Sequence, residues 1–112
     1  MNGTIDADTI AHAPADYPAL SQLLAGYYHQ DWREEHASSE GAIGAFVRDA
    51  SAETVAAAAS EIDRVLSAGY DDTALTQLLV DGFDSNYVPE TDGLTSAAWL
   101  TQVRDSLRAA AS

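Results

Sequence analysis

At 112 residues the chain has the length of one domain, and 18 Asp and Glu against 5 Lys and Arg give it a formal charge of −13. That balance excludes tight, direct binding to bare nucleic acid, because each phosphate contact needs a Lys or Arg and the basic residues here, all Arg, stand singly. It favours a basic partner instead.

An apolar content of 46% is enough for a modest core, which separates the chain from wholly disordered acidic tails. The absence of Cys removes disulfides, thiolate metal sites and cysteine nucleophiles together. Apolar runs are short and the N-terminus lacks a basic-then-apolar pattern. No signal peptide or membrane contact is expected, and the cytoplasm is the expected compartment.

Residues 1–15 combine Thr4, Asp6, Asp8 and Thr9 with few apolar side chains and end in Ala13-Pro14-Ala15, which predicts a flexible acidic arm. Pro18 suits a first helical turn, and Leu20, Leu23, Leu24, Tyr27 and Tyr28 then recur at helical spacing, predicting a helix over 18–29. The polar stretch from His29 to His36 follows. Ser38 or Ser39 can cap a second helix over 39–49, with Ile43, Phe46 and Val47 facing inward and Gly41 and Gly44 weakening it.

Ser51 caps a third helix over 52–68, where Val55, Ala59, Ile62 and Leu66 share one face. Gly69 stands where a left-handed residue ends a helix, with Tyr70 after it. Asp71 or Asp72 opens a fourth helix over 72–81, with Leu75, Leu78 and Leu79 inside and Gly82 as its stop. Phe83 to Asp92 is rich in turn formers and carboxylates and reads as the longest loop. Thr95 caps a fifth helix over 95–108, with Leu94 placed to pack on Trp99 as a hydrophobic staple.

About five helices, no period-two alternation and no repeat predict a compact all-α single-domain bundle over 16–109, with 110–112 frayed. The expected core includes Leu20, Leu24, Trp32, Phe46, Ile62, Leu66, Leu78, Trp99 and Val103.

His29, Asp31, Glu34, Glu35 and His36 have the side chains of a divalent-metal site, but their spacing matches neither His-Glu-x-x-His nor two His on adjacent helical turns. Solvated polar residues around a buried Trp32 account for them more simply. Asp84, Asn86 and Asp92 resemble calcium-loop ligands, yet an EF-hand starting at Asp84 would place Pro89 where Gly must turn and Thr95 where Glu must bind. No phosphate loop, nucleophile elbow or marked carboxylate pair is present, so no catalytic residue, cofactor or metal is expected.

The aromatic residues fall mostly on inward stripes. Tyr87 lies mid-loop among Asp84, Glu90 and Asp92, the setting of an exposed contact residue for a basic protein. The expected partner surface is therefore Asp81, Asp84, Tyr87, Glu90 and Asp92, with Asp31, Glu34 and Glu35 as the rival.

Tyr27-Tyr28-His29-Gln30-Asp31-Trp32, preceded by Tyr17-Pro18-Ala19-Leu20 and followed by Asp92-Gly93-Leu94-Thr95 and Trp99-Leu100, resembles the immunity proteins of bacterial contact-dependent growth inhibition systems. The resemblance runs from about Tyr17 to Leu107. It implies a small helical cytosolic protein, not an enzyme, that binds and neutralises the C-terminal toxin domain delivered by a neighbouring cell, often a nuclease. A nuclease presents a basic surface to phosphates, which an acidic protein can cover by charge complementarity.

The shared motif of Tyr28, His29, Gln30, Asp31, Trp32 and, later, Trp99 is expected to hold the fold, Trp32 filling the core while His29 and Asp31 satisfy backbone groups where the helix ends. The alternative function is a stand-alone acidic helical domain with a small-ligand or metal-binding role. A monomer is expected in either case.

Overall fold

A computed structural model describes residues 5–28, 32–35 and 38–111, and only the backbone of Arg33 and Glu35. Its described residues form helices and turns with no strand, and the chain is an all-α domain as predicted. The elements are α1 (Ala7–Asp16), α2 (Pro18–Tyr27), α3 (Trp32–Glu35), α4 (Ser39–Asp49), α5 (Ala52–Ser67), α6 (Asp72–Gln77) and α7 (Ser96–Ala111). A π-helical turn, Leu78–Gly82, continues α6, and a 3-10 turn, Pro89–Asp92, precedes α7.

The predicted caps are in place. Ser38 accepts from the Gly41 amide at 3.1 Å, Ser51 from Thr54 at 3.1 Å, Asp71 from Ala74 at 2.8 Å and Thr95 from Ala98 at 3.0 Å. Gly69 takes φ 84° after α5, the left-handed conformation that a side chain would strain. Two helix starts are capped from elsewhere in the fold. Tyr17 gives α2 no side-chain cap, and Glu61 of α5 supplies one by accepting from the Ala19 and Leu20 amides at 3.3 and 2.9 Å. Asp72 of α6 accepts from the Ala97 amide at 3.0 Å in the first turn of α7.

Several expectations are corrected. Within the segment expected as a flexible arm, Ala7–Asp16 forms a helix, capped by Asp6 through the Thr9 amide at 2.8 Å and anchored by a fully buried Ala13. It packs closely on the π turn: a Cβ on Gly82 would lie 3.2 Å from that of Ala13 and 3.0 Å from Leu78 Cδ1, so a side chain there would have to displace its neighbours. Met1–Thr4 lie outside the described residues.

The polar stretch after α2 contains the short α3, and α7 continues through Ala111 where fraying was expected over 110–112. Alanines, the best helix formers, extend it. The predicted fourth helix keeps α-geometry only to Gln77 before widening into the π turn.

α5 and α7 make the most extensive helix–helix contact; α2 packs on α5, α1 and α4, and α4 also packs on α7. Leu20, Leu24, Phe46, Ile62, Leu78 and Val103 are buried among them, whereas Leu66 is only partly so. The radius of gyration, 12.9 Å, is that of a compact chain of this length. No helix among the described residues is long and apolar enough to cross a membrane.

Candidate functional site

Beside the aliphatic core, Tyr28, Trp32, Tyr87 and Trp99 converge at one end of the molecule. Tyr28 stands 5.3 Å from Trp32, 5.4 Å from Tyr87 and 5.5 Å from Trp99, centroid to centroid, and Tyr87 is 5.4 Å from Trp32 and 5.0 Å from Trp99. All five pairs are edge-on or tilted, which suits the ring quadrupoles. The polar atoms of Tyr28 and Trp99 meet on Ser39, the first residue of α4. The Trp99 indole N–H donates to Ser39 Oγ at 2.9 Å, and the Tyr28 hydroxyl donates to the Ser39 carbonyl at 2.9 Å. Among the described residues no buried side-chain polar atom lacks a partner.

Tyr87 corrects the clearest functional expectation. Its ring is 1% exposed, and only its hydroxyl reaches the rim, where it donates to Asp92 Oδ2 at 2.7 Å. The loop folds it inward because its backbone is held on both sides: the Asn86 amide donates to the Tyr28 carbonyl at 2.7 Å, and the buried Ser85 hydroxyl donates to the Tyr87 carbonyl at 3.1 Å. Burial, and then the bond to Asp92, pushes the Tyr87 phenol above its ordinary value of 10.0. Burial likewise raises Tyr28, against the opposing bond to Ser39. Both remain protonated donors at neutral pH.

The other expected contact residues remain accessible. Asp81 is exposed on the π turn, Asp84 is exposed at φ 55°, a left-handed geometry Asp tolerates, and Glu90 and Asp92 are exposed on the 3-10 turn. Of the rival surface, Glu34 is exposed on α3, while Asp31 and the Glu35 side chain lie outside the described residues. So do His29, Gln30 and His36, and with them the roles expected of His29 and Asp31. Tyr28, Trp32 and Trp99 are buried, as the motif reading requires. Among the described residues no group of three or more His, Cys, Asp or Glu could hold a metal ion.

Sequence reading missed a trough over this aromatic floor. A hollow of about 390 Å³ is lined by Trp32, Ser38, Glu40, Asp92, Trp99 and Gln102, among others. It shares Ser39, Glu40 and Gln102 with a second, more apolar hollow of about 270 Å³ that runs along Ile43, Gly44, Val47, Val103 and Ser106. The walls are two helical stripes of the same spacing, residues 40, 43, 44 and 47 on α4 and residues 99, 102, 103 and 106 on α7. Ile43, Val47, Trp99 and Val103 were legible as inward positions, but that their two helices border one trough was not.

The described arginine side chains lie elsewhere. Arg104 and Arg108 both bind Asp63, Arg104 at 2.9 Å, across the α5–α7 contact. Arg48 pairs with Asp49 at 3.8 Å, and Arg64 stacks on Tyr17 with its guanidinium carbon 4.7 Å from the ring centroid. None of these arginines lines the trough.

Fold and site together define a small acidic all-helical domain whose aromatic end opens into a carboxylate-rimmed trough. The family model described as CdiI immunity protein matches residues 16–107, and the chain belongs to that family. The chain is also similar to one in the crystal structure of the CdiA-CT/CdiI complex from Y. kristensenii 33638, at 25% identity and a TM-score of 0.80 over 85% of this chain and 96% of that one. No curated protein matches it.

Proposed function

We propose that the chain binds a cognate CdiA C-terminal toxin domain in the cytoplasm and neutralises it by covering a basic surface, the toxin being a nuclease. The family match over residues 16–107 carries this reading. The similar structure is a CdiA-CT/CdiI complex, which supports a toxin domain as the partner. The formal charge of −13 supports a basic one. Occlusion asks no catalytic chemistry of the inhibitor, and the chain acts as a binding protein rather than an enzyme.

The contact surface is proposed to centre on Asp81, Asp84, Glu90 and Asp92, exposed on one continuous stretch of chain, with Glu34 on the rival side. Tyr87 serves it from behind by fixing Asp92. The test is co-expression with the toxin domain encoded beside this protein. Cells should grow as they do without toxin, and the two purified proteins should form a stable one-to-one complex; growth arrest despite soluble expression of both overturns the reading.

A further inference from the structure

The α4–α7 trough has two ends of different chemistry. At one end Glu40 and Asp92 face a common hollow of about 390 Å³, and Glu40 has no hydrogen-bond or ion-pair partner among the described residues. Trp32, Tyr87 and Trp99, each 3% exposed or less, form a rigid floor beneath them. At the other end Ile43, Val47 and Val103 offer apolar walls, and the small residues Gly44 and Ser106 keep the trough open. A Cβ built on Gly44 meets no atom within 4 Å.

Two exposed carboxylates facing one hollow attract a cation, and roughly half a positive charge at the start of α4 offsets only part of their field. Aliphatic walls one to two helical turns further on favour an apolar side chain. The two hollows share residues, so one extended segment can fill both.

We infer that this trough is the anchoring groove for the toxin domain, taking a segment that carries an Arg or Lys side chain into the Glu40–Asp92 hollow and an adjacent apolar side chain over Gly44. The inference rests on the neutralising function proposed above and adds to it a site and the chemistry of the segment that fills it. The loop carboxylates steer the approach, and the trough holds what arrives.

The groove can be blocked without harming the fold. At Gly44 a Cβ meets no atom within 4 Å and Leu has the higher helix propensity, so Gly44→Leu should melt no lower than wild type. Its complex with the purified toxin domain encoded beside this protein should dissociate roughly 30-fold faster, the loss expected when a central anchor is excluded. Gly44→Ala should change dissociation little, and Glu40→Gln should weaken binding about tenfold with a shallower salt dependence.

The chain's 2 tryptophans, Trp32 and Trp99, both border the hollow, so fluorine resonances of a 5-fluorotryptophan-labelled sample should both shift on adding the toxin domain. A wild-type complex that leaves those resonances in place, with Gly44→Leu dissociating as slowly as wild type, overturns the groove and leaves the neutralising function standing. Failure of the wild-type protein to bind the toxin domain at all overturns that function and the groove with it.

Discussion

The α5–α7 contact and the aromatic end around Ser39 treat charge in opposite ways. Along α5 and α7 the stripes of Val55, Ile62, Val103 and Leu107 interlock, and the flanking Arg104 and Arg108 are paired within the chain with Asp63 and Asp105. At the aromatic end three of the four rings hydrogen-bond to Ser39 or Asp92, and none of the described arginine side chains lines the hollow that Glu40 and Asp92 face. Charges paired within the chain contribute to holding its shape. Charges left on a rigid base are available to another molecule.

The largest effect should come from removing the support of that base. Trp99→Ala deletes a side chain 3% exposed together with its bond to Ser39, and should lower urea stability by about 3–5 kcal/mol. An unchanged midpoint would mean that the aliphatic core alone holds this end.

Next is the buried carboxylate that starts α2. Glu61→Ala leaves the Ala19 and Leu20 amides without their acceptor in a buried setting, for a loss of about 1–3 kcal/mol by chemical denaturation, whereas Glu61→Gln keeps one acceptor oxygen and should lose less.

The phenols give the aromatic end a pH signature. Tyr28 and Tyr87 are raised above 10.0 in the folded state, so the unfolded chain ionises first as pH rises. Their contribution is intact below pH 10.0 and is lost progressively above it as pH climbs toward the folded values. Thermal melts from pH 8 to 11 should fall at the alkaline end, and Tyr87→Phe should flatten that fall at a cost near neutrality of about 1 kcal/mol, one hydrogen bond.

Asp63→Asn probes the other region. It removes the partly exposed ion pairs with Arg104 and Arg108, and the loss should be only about 0.2–1 kcal/mol per pair, smaller still in high salt. A larger loss would make that face electrostatic rather than apolar in origin.

Smallest in stability, and sharpest as a contrast, is the joint replacement of Asp84, Glu90 and Asp92 by amides. Folding should stay within about 0.5 kcal/mol of wild type, while the association rate with the toxin domain falls and its salt dependence flattens. If association is unaffected, the steering surface lies elsewhere.

What could be read without a structure followed from local physics. Pro18, Ser38, Ser51, Asp71 and Thr95 mark helix starts because capping acts within one turn, and the stripes of α2, α4, α5 and α7 show their inward faces because burial repeats with the helical period. The acidity that suggests a basic partner is likewise a property of composition.

Tyr87 marks the limit of that reading. Among turn formers and carboxylates it has the sequence setting of a surface residue, yet contacts to Tyr28, Trp32 and Trp99, distant in sequence, draw it inside. α1 escaped notice for the same reason, since its one fully buried residue, Ala13, gains meaning only against Gly82.

Capping residues, helix faces and net charge were thus determined by the sequence itself, because each depends on neighbours within a few positions. Tertiary structure alone decided which carboxylate closes α2, which aromatic is hidden and which two stripes border the trough, because these depend on groups brought together from distant parts of the chain, and their burial and pairing energies exist only once the helices have packed.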